Sequence, residues 1–294
     1  VQPPTFSLVL ATYGRVDEIG RLMDSLAAQT CVDFELIFAD QNTDDRVLPF
    51  VKRAQAAGWR VTHLRLPEPN LSAARNAGLR AATGPWFAIP DDDCWYEPET
   101  LAHVLQRLQA APAVDGVVIR WVEQTHKVAP EADTPLRARA WRRFKGSDAS
   151  SIALFMRTEL VKRVGGFDER FGVGQWCGAG EETDLLLRLL EQGAHIERLQ
   201  TACVHHRFGH RYASRPMDEY RLARNRARGW GALCAKHRLP ASTLLRGLFG
   251  PPLRALASRG GWLGVWRNVG VTAGRWQGYV AWRLCPPRDP GTRL

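Results

Sequence analysis

The sequence predicts an α/β fold, a mostly parallel sheet wound with helices on both faces, followed by a basic helical extension. Three observations carry this expectation. Residues 5–11, 34–40, 59–66 and 86–90 are short, continuous apolar runs of the kind that form strands buried on both faces of a sheet. Helical spacing separates them: Ile19, Leu22, Met23 and Leu26 fall at i, i+3, i+4 and i+7, and Leu101, Val104, Leu105 and Leu108 repeat it. The charge is also split, with 23 Lys+Arg against 27 Asp+Glu in residues 1–200 and 17 against 3 in residues 201–294. Strand alternating with helix makes the first part a parallel sheet. The second part, net +14, reads as a separate basic module.

Beyond the fourth strand the elements are less regular. The stretch 121–147 has weak periodicity and reads as an irregular connection. Strand character returns at 150–156. Six glycines (165, 166, 172, 174, 178 and 180) then make a flexible loop leading into an acidic helix start at Glu181 to Asp184 and the apolar run 185–190. Residues 195–204 read as a last strand running into His205 and His206, with His210 just beyond. Helical segments follow at 216–238 and 241–258, then a Trp- and Gly-rich tail. The organisation expected is a core of residues 1–210 and an extension of residues 211–294.

Composition narrows the function. The chain has 294 residues, 45% hydrophobic and 24% charged, which fits one large globular unit with an appendage. Arginine interrupts every apolar run before about 18 residues, so no transmembrane helix is expected, and the composition of the first residues leads us to expect no signal peptide. Six cysteines without a C-x-x-C pair (Cys31, Cys94, Cys177, Cys203, Cys234 and Cys285) argue against a disulfide framework or zinc ribbon and for a reducing, cytoplasmic setting. The basic extension points to nucleic acid or an anionic membrane surface. No helix-turn-helix, zinc-finger or RNA-recognition signature is present.

In a doubly wound sheet, ligands bind beyond the carboxyl ends of the strands. Thr12, Tyr13, Asp40 and the run Asp91-Asp92-Asp93 all end strands, so they are expected to meet in one crevice. Three adjacent carboxylates suit Mg²⁺ or Mn²⁺ bridging to phosphate, although a solvated turn accounts for them equally well. Glu181, Glu182 and Asp184 open a helix, where acidic residues complement the dipole and can also present a general base. Trp176 suits stacking on a sugar face, or packing under its own loop. His205 and His206 suit a mixed nitrogen and oxygen metal site. Arg75, on a helix, suits a bidentate clamp on a diphosphate. No G-x-G-x-x-G follows the first strand, which argues against a dinucleotide.

Five segments in order, residues 7–15, 39–44, 70–78, 90–93 and 180–188, resemble the family 2 glycosyltransferases of the GT-A fold, of the bacterial exopolysaccharide and cell-surface polysaccharide type. The resemblance covers about residues 5–210. It implies that Thr12, Tyr13 and Arg15 line the nucleotide and that Asp40 reads the base edge. Asn42, Asn70, Arg75, Asp91 and Asp92 complete the donor site. Asp91 and Asp93 match a D-x-D pair, with Asp93 the direct ligand of Mg²⁺ or Mn²⁺ and His205 or His206 completing the coordination. Glu181 and Glu182 match a Glu-Asp pair whose second member is the catalytic base, so the base is assigned to Glu182, with Asp184 the second choice. The sequence departs from the pattern at Tyr13-Gly14, where Tyr-Asn is usual, at Glu181-Glu182, and in its tandem histidines.

With the resemblance, the reading is an inverting, metal-dependent transfer of a sugar from a nucleoside-diphosphate donor to a hydroxyl of a saccharide acceptor; Trp176 is expected on the acceptor from its own chemistry, and the basic tail points to an acceptor that is lipid-linked. Arginines interleaved with Trp230, Trp262, Trp266, Trp276 and Trp282 suit peripheral attachment to the inner face of the cytoplasmic membrane, or packing on the core or a second subunit. No nucleic-acid partner is expected. The alternatives are a metal-dependent nucleotidyltransferase or phosphohydrolase, and a nucleic-acid binder using the basic tail.

Overall fold

The computed structural model describes residues 2–123, 133–144, 149–206, 215–257 and 261–284. Its first half alternates β1 (Phe6–Thr12), α1 (Asp17–Ala27), β2 (Phe34–Asp40), α2 (Leu48–Ala56), β3 (Arg60–Arg65), α3 (Leu71–Ala81) and β4 (Trp86–Ala88). The middle holds β5 (Cys94–Tyr96), α4 (Thr100–Ala110), β6 (Gly116–Glu123), the single turn α5 (Ala138–Trp141), β7 (Leu154–Arg157), α6 (Thr158–Arg163), α7 (Glu181–Glu191) and β8 (Ile196–His206). Three helices follow, α8 (Pro216–Lys236), α9 (Ala241–Ala257) and α10 (Gly261–Leu284).

The strands form one sheet in the order β3-β2-β1-β4-β7-β6-β8-β5. Strands β1 to β4 pair in parallel, as does β6 with β8, while β7 and β5 run antiparallel to their neighbours. The alternation therefore predicts the parallel half correctly, and the antiparallel insertions come from the part without periodicity. β1 and β2 are buried at every position, as continuous apolar runs require. Ile19, Leu22, Met23 and Leu26 are the buried face of α1, each worth roughly 1.5–3 kcal/mol of transfer energy.

Two expectations are corrected. Strand β3 is not buried on both faces, because it lies at the sheet edge and is half-exposed along its length. The stretch 121–147 does not begin as a connection: β6 runs through Glu123, and α5 seats Trp141 in the core. Residues 124–132 and 145–148 lie outside the described residues, as do His210 and Cys285.

The C-terminal helices are fastened to one another and to the core through glycine. A Cβ at Gly270, Gly274 or Gly278 of α10 would run into the carbonyl oxygens of Tyr220, Arg224 and Arg228 of α8. The numbers rise together on both helices, so α8 and α10 are parallel and α9 is the return between them. The same helix meets the loop before α7, where Gly229 admits the backbone of Ala179 and Gly178 lies against Asn225. No helix among the described residues is long and apolar enough to cross a membrane.

Candidate active site

Hydrogen bonds tie the carboxyl ends of β1, β2 and β4 to one another, and Arg75 ties them to the start of α7, so the expected crevice residues stand together. At the end of β1, Thr12 donates its hydroxyl to Asp92 Oδ2 at 2.8 Å. The chain then turns through Gly14, whose φ of +74° lets its N–H reach Asn42 Oδ1 at 2.7 Å. Glycine and asparagine are the residues that adopt this left-handed conformation most readily, so the departure Tyr13-Gly14 preserves the turn. Tyr13 beside it is exposed.

Asp40 ends β2 as expected, but it has no exposed surface. Its Oδ1 accepts from the backbone and side-chain nitrogens of Asn42 at 2.9 and 2.8 Å, and its Oδ2 meets His63 Nε2 at 2.9 Å. Asp40 therefore orients Asn42 and His63 and does not itself present an edge to the crevice. Asn70 is likewise not a ligand-facing side chain. Its carbonyl caps α3 by accepting from Ala73 N at 3.1 Å, and its amide donates to the Glu169 carbonyl at 3.2 Å.

The three aspartates are treated differently by their surroundings. Burial pushes the Asp92 carboxyl up to about 6, although Arg15 at 2.9 Å and the Thr12 hydroxyl favour its charged form. Burial also works against the charge of Asp93, but His206 Nε2 at 3.0 Å and the Arg15 guanidinium outweigh it and hold the carboxyl below its usual value. Asp91 accepts from Arg75 at 3.0 Å.

Arg75 is 1% exposed, so it does not clamp a diphosphate directly. One arm donates to Glu181 at 3.1 Å, the other to Asp91 and the Ser151 hydroxyl, both at 3.0 Å. A buried guanidinium with carboxylates on two sides is a rigid bridge, tying the aspartate run to the helix that carries the acidic pair. Glu181 is spent on this bridge and positions the pair. Glu182, next in the chain, is half-buried, and desolvation together with the Glu181 carboxylate raises its pKa.

Asp184 does not qualify as an alternative base. It is completely buried and meets Arg188 at 2.8 Å, Lys236 at 2.5 Å and His237 at 2.8 Å. Against the cost of burial, His237, Arg188 and Lys236 hold its carboxyl far below the usual range. Lys236 also reaches Asp168 at 2.6 Å, so α8, α7 and the loop after α6 are joined at one point.

The tandem histidines separate by strand alternation. In the pairing of β5 with β8, Cys94 stands opposite His206 and Trp95 opposite His205. Neighbouring side chains point to opposite faces. His206 Nε2 meets Asp93 at 3.0 Å, whereas His205, on the other face, stacks on Trp95 with ring centroids 5.3 Å apart and meets Glu97 at 3.1 Å. Glu97, Cys203 and His205 are the described residues whose ligand atoms come close enough together to share an ion. His205 Nε2 already meets Glu97 at 3.1 Å, and burial pushes the Cys203 thiol up to about 11. The hard oxygen and imidazole donors of Asp91, Asp93 and His206 suit Mg²⁺ or Mn²⁺ better, and His205 is withdrawn from that set.

Trp176 is 43% exposed on the loop before α7, with the Arg228 guanidinium 4.8 Å above its ring. The residues that sequence reasoning missed are His63, Ser151, Arg228, Lys236 and His237. Only His63, polar within an otherwise strand-like run that ends at the crevice, carried a signal.

Residues 7–165 match the sequence profile described as Glycosyl transferase family 2. The chain belongs to glycosyl transferase family 2. The profile stops before α7, so Glu182 and His206 of this family 2 transferase lie beyond the matched range. An uncharacterized glycosyltransferase of Haemophilus influenzae is 34% identical over 113 residues, 38% of this chain and 37% of that protein. A PGL/p-HBAD biosynthesis glycosyltransferase of Mycobacterium tuberculosis is 35% identical over 103 residues, 34% of this chain and 40% of that protein. These matches span about two fifths of the length of both relatives. The O-antigen biosynthesis protein RfbC of Myxococcus xanthus is 27% identical over 252 residues, 77% of this chain and 19% of that protein. Among solved structures, S. aureus TarS 1-349 in complex with UDP-GlcNAc superposes with a TM-score of 0.60 at 17% identity, covering 95% of this chain and 91% of that one. The shared architecture is the GT-A fold.

Proposed function

We propose that the chain transfers a sugar from a nucleoside-diphosphate donor, with UDP the first nucleotide to test, to a hydroxyl of a saccharide acceptor, with inversion, in bacterial cell-surface polysaccharide synthesis. The Arg75 bridge carries this reading, because it fixes the aspartate run and the helix start bearing Glu182 across one crevice. The names of the relatives support the pathway class, and the solved complex with UDP-GlcNAc supports the donor class.

On this reading Tyr13, Arg15 and Asn42 line the nucleotide. Glu182 takes the proton from the acceptor hydroxyl, and the oxygen forms a bond to the anomeric carbon as the bond to the diphosphate breaks. The nucleoside diphosphate leaves from the opposite face of the sugar. A raised pKa makes Glu182 a stronger base near neutral pH than an ordinary glutamate. Asp91, Asp93 and His206 would hold Mg²⁺ or Mn²⁺, whose positive charge favours the diphosphate leaving group. Arg15, already on Asp92 and Asp93 and 42% exposed at its side chain, offers a cation to the diphosphate. Trp176 offers an aromatic face to the acceptor sugar.

Residues 1–210 contain the groups assigned to the chemistry, and residues 211–294 buttress them and meet the membrane. Trp262, Val269, Trp276 and Val280 are exposed along α10, and Leu245, Phe249 and Leu253 along α9. Apolar stripes on helices of net positive charge suit the anionic inner face of the cytoplasmic membrane, where a lipid-linked acceptor would be found.

Replacing Glu182 with Gln tests the assignment. Turnover of a UDP-sugar with Mn²⁺ is expected to fall by about 10²–10⁴-fold while donor binding by calorimetry is unchanged. Retained turnover removes Glu182 as the base, and release of a nucleoside monophosphate would mark a nucleotidyltransferase or phosphohydrolase instead. Sedimentation with phosphatidylglycerol vesicles, absent with phosphatidylcholine and weakened by salt, tests the membrane assignment.

A further inference from the structure

Several arginines of this molecule meet carboxylates, Arg75, Arg157 and Arg188 among them. Arg224 and Arg228 of α8 do not. They stand one helical turn apart, and neither forms an ion pair among the described residues. Arg224 has its Nε buried without a hydrogen-bond partner and its guanidinium 5.6 Å from the Tyr220 ring. Arg228 donates to Gln277 at 3.3 Å and lies over Trp176. Burial first, and the Arg224 charge second, make Arg228 less basic than an ordinary arginine. Two crowded guanidiniums without a carboxylate repel each other, and the repulsion is relieved when an anion from outside sits between them.

Their place gives the anion a role. Gly229 and Gly178 bring the same turn of α8 against the loop that carries Trp176 and leads into Glu182. A sugar stacked on Trp176 would therefore hold its neighbouring groups beside this arginine pair. We infer that Arg224 and Arg228, with Trp176, form an acceptor subsite that takes a phosphate-bearing saccharide. The inference rests on the reading of the crevice as a transferase site. Two sources share the chemistry: a lipid diphosphate carrying the sugar, and a sugar-phosphate polymer.

The full chain is titrated by calorimetry, without nucleotide, with farnesyl diphosphate, a glycerol-phosphate oligomer and inorganic diphosphate, for the native protein and for R224Q/R228Q, R224K/R228K and D93A. At least one phosphate probe is expected to bind, about 10-fold or more weakly in the double Gln variant and with partial rescue by the Lys pair. Binding in D93A should be unchanged. Tighter binding of farnesyl diphosphate identifies the lipid source, and tighter binding of the oligomer the polymer. Far-UV circular dichroism reports the folding of each variant, and UDP-sugar binding with Mn²⁺, expected in the arginine variants and lost in D93A, tests the transferase reading separately. The inference is overturned when no phosphate probe binds, when R224Q/R228Q binds as the native protein does, or when D93A abolishes binding, which would place the anion in the donor site.

Discussion

Glu182 and Asp184 stand two residues apart in the first turn of α7, yet the structure gives them opposite characters. Asp184 is enclosed by Arg188, Lys236 and His237, so its charge is matched three times over and its oxygens are committed. Glu182 has burial and a neighbouring carboxylate, and its proton is held more tightly. The helix dipole favours negative charge at both positions, so the dipole does not distinguish them. What separates a base from a buttress here is the supply of fixed cations, and those cations come from α7 itself and from α8, some fifty residues further along the chain.

Exchanging the two sites' roles by mutation is the strongest test of this contrast. Glu182→Gln should lose turnover by about 10²–10⁴-fold with no loss of thermal stability. Asp184→Ala should lose about 3–5 kcal/mol, read as a lowered denaturant midpoint, because it removes the carboxylate that Arg188, Lys236 and His237 share and leaves Lys236 with Asp168 alone. An Asp184→Ala protein as stable as the native one would show that the cation cluster is not a buttress.

Acid separates the two in a different way. The folded pKa of Asp184 lies below its unfolded value, so its contribution is complete above about pH 4 and is lost as pH falls below that. Glu182 has the opposite sign. Its raised pKa means that ionisation on raising the pH costs stability while supplying the base, so turnover should fall with pH while the fold is still intact. Far-UV circular dichroism followed alongside kcat across pH 4–8 checks this, and coincident loss of both would contradict it.

Smaller effects divide the histidines and the caps. His206→Ala is expected to weaken Mn²⁺ binding by about 10–100-fold in titrations with a donor nucleotide, whereas His205→Ala, on the other face of β8, should change it little. Equal losses would undo the strand-face argument. Asn70→Ala should cost about 1 kcal/mol as a lost N-cap, with donor affinity nearly unchanged.

These residues also mark how far the sequence could be read. Strands β1 and β2 were legible because burial on both faces leaves an unbroken apolar run, and Asp40 and Asp91 to Asp93 were legible as polar groups ending such runs. Strand β5 was missed because three residues, one of them a half-exposed tryptophan, carry no periodicity. Which histidine faces Asp93 depends on the β5 and β8 register, and no local pattern encodes pairing between strands about 110 residues apart. The burial of Arg75 and Asp40 was equally hidden, since a charged residue in a motif looks the same whether it meets a ligand or a neighbouring side chain. Two partners of Asp184, Lys236 and His237, lie at the end of a helix that composition marked only as basic.

The glycine seams have a mechanical meaning. Where α10 meets α8, and where α8 meets Ala179, backbone rests on backbone. Side chains at an ordinary helix contact absorb a small displacement by changing rotamer, and these contacts have none to change. A fraction of an ångström imposed on the outer helix is therefore passed to Ala179, three residues before Glu182. Helices α8 and α10 thus act as a stiff lever whose short arm rests on the loop before α7.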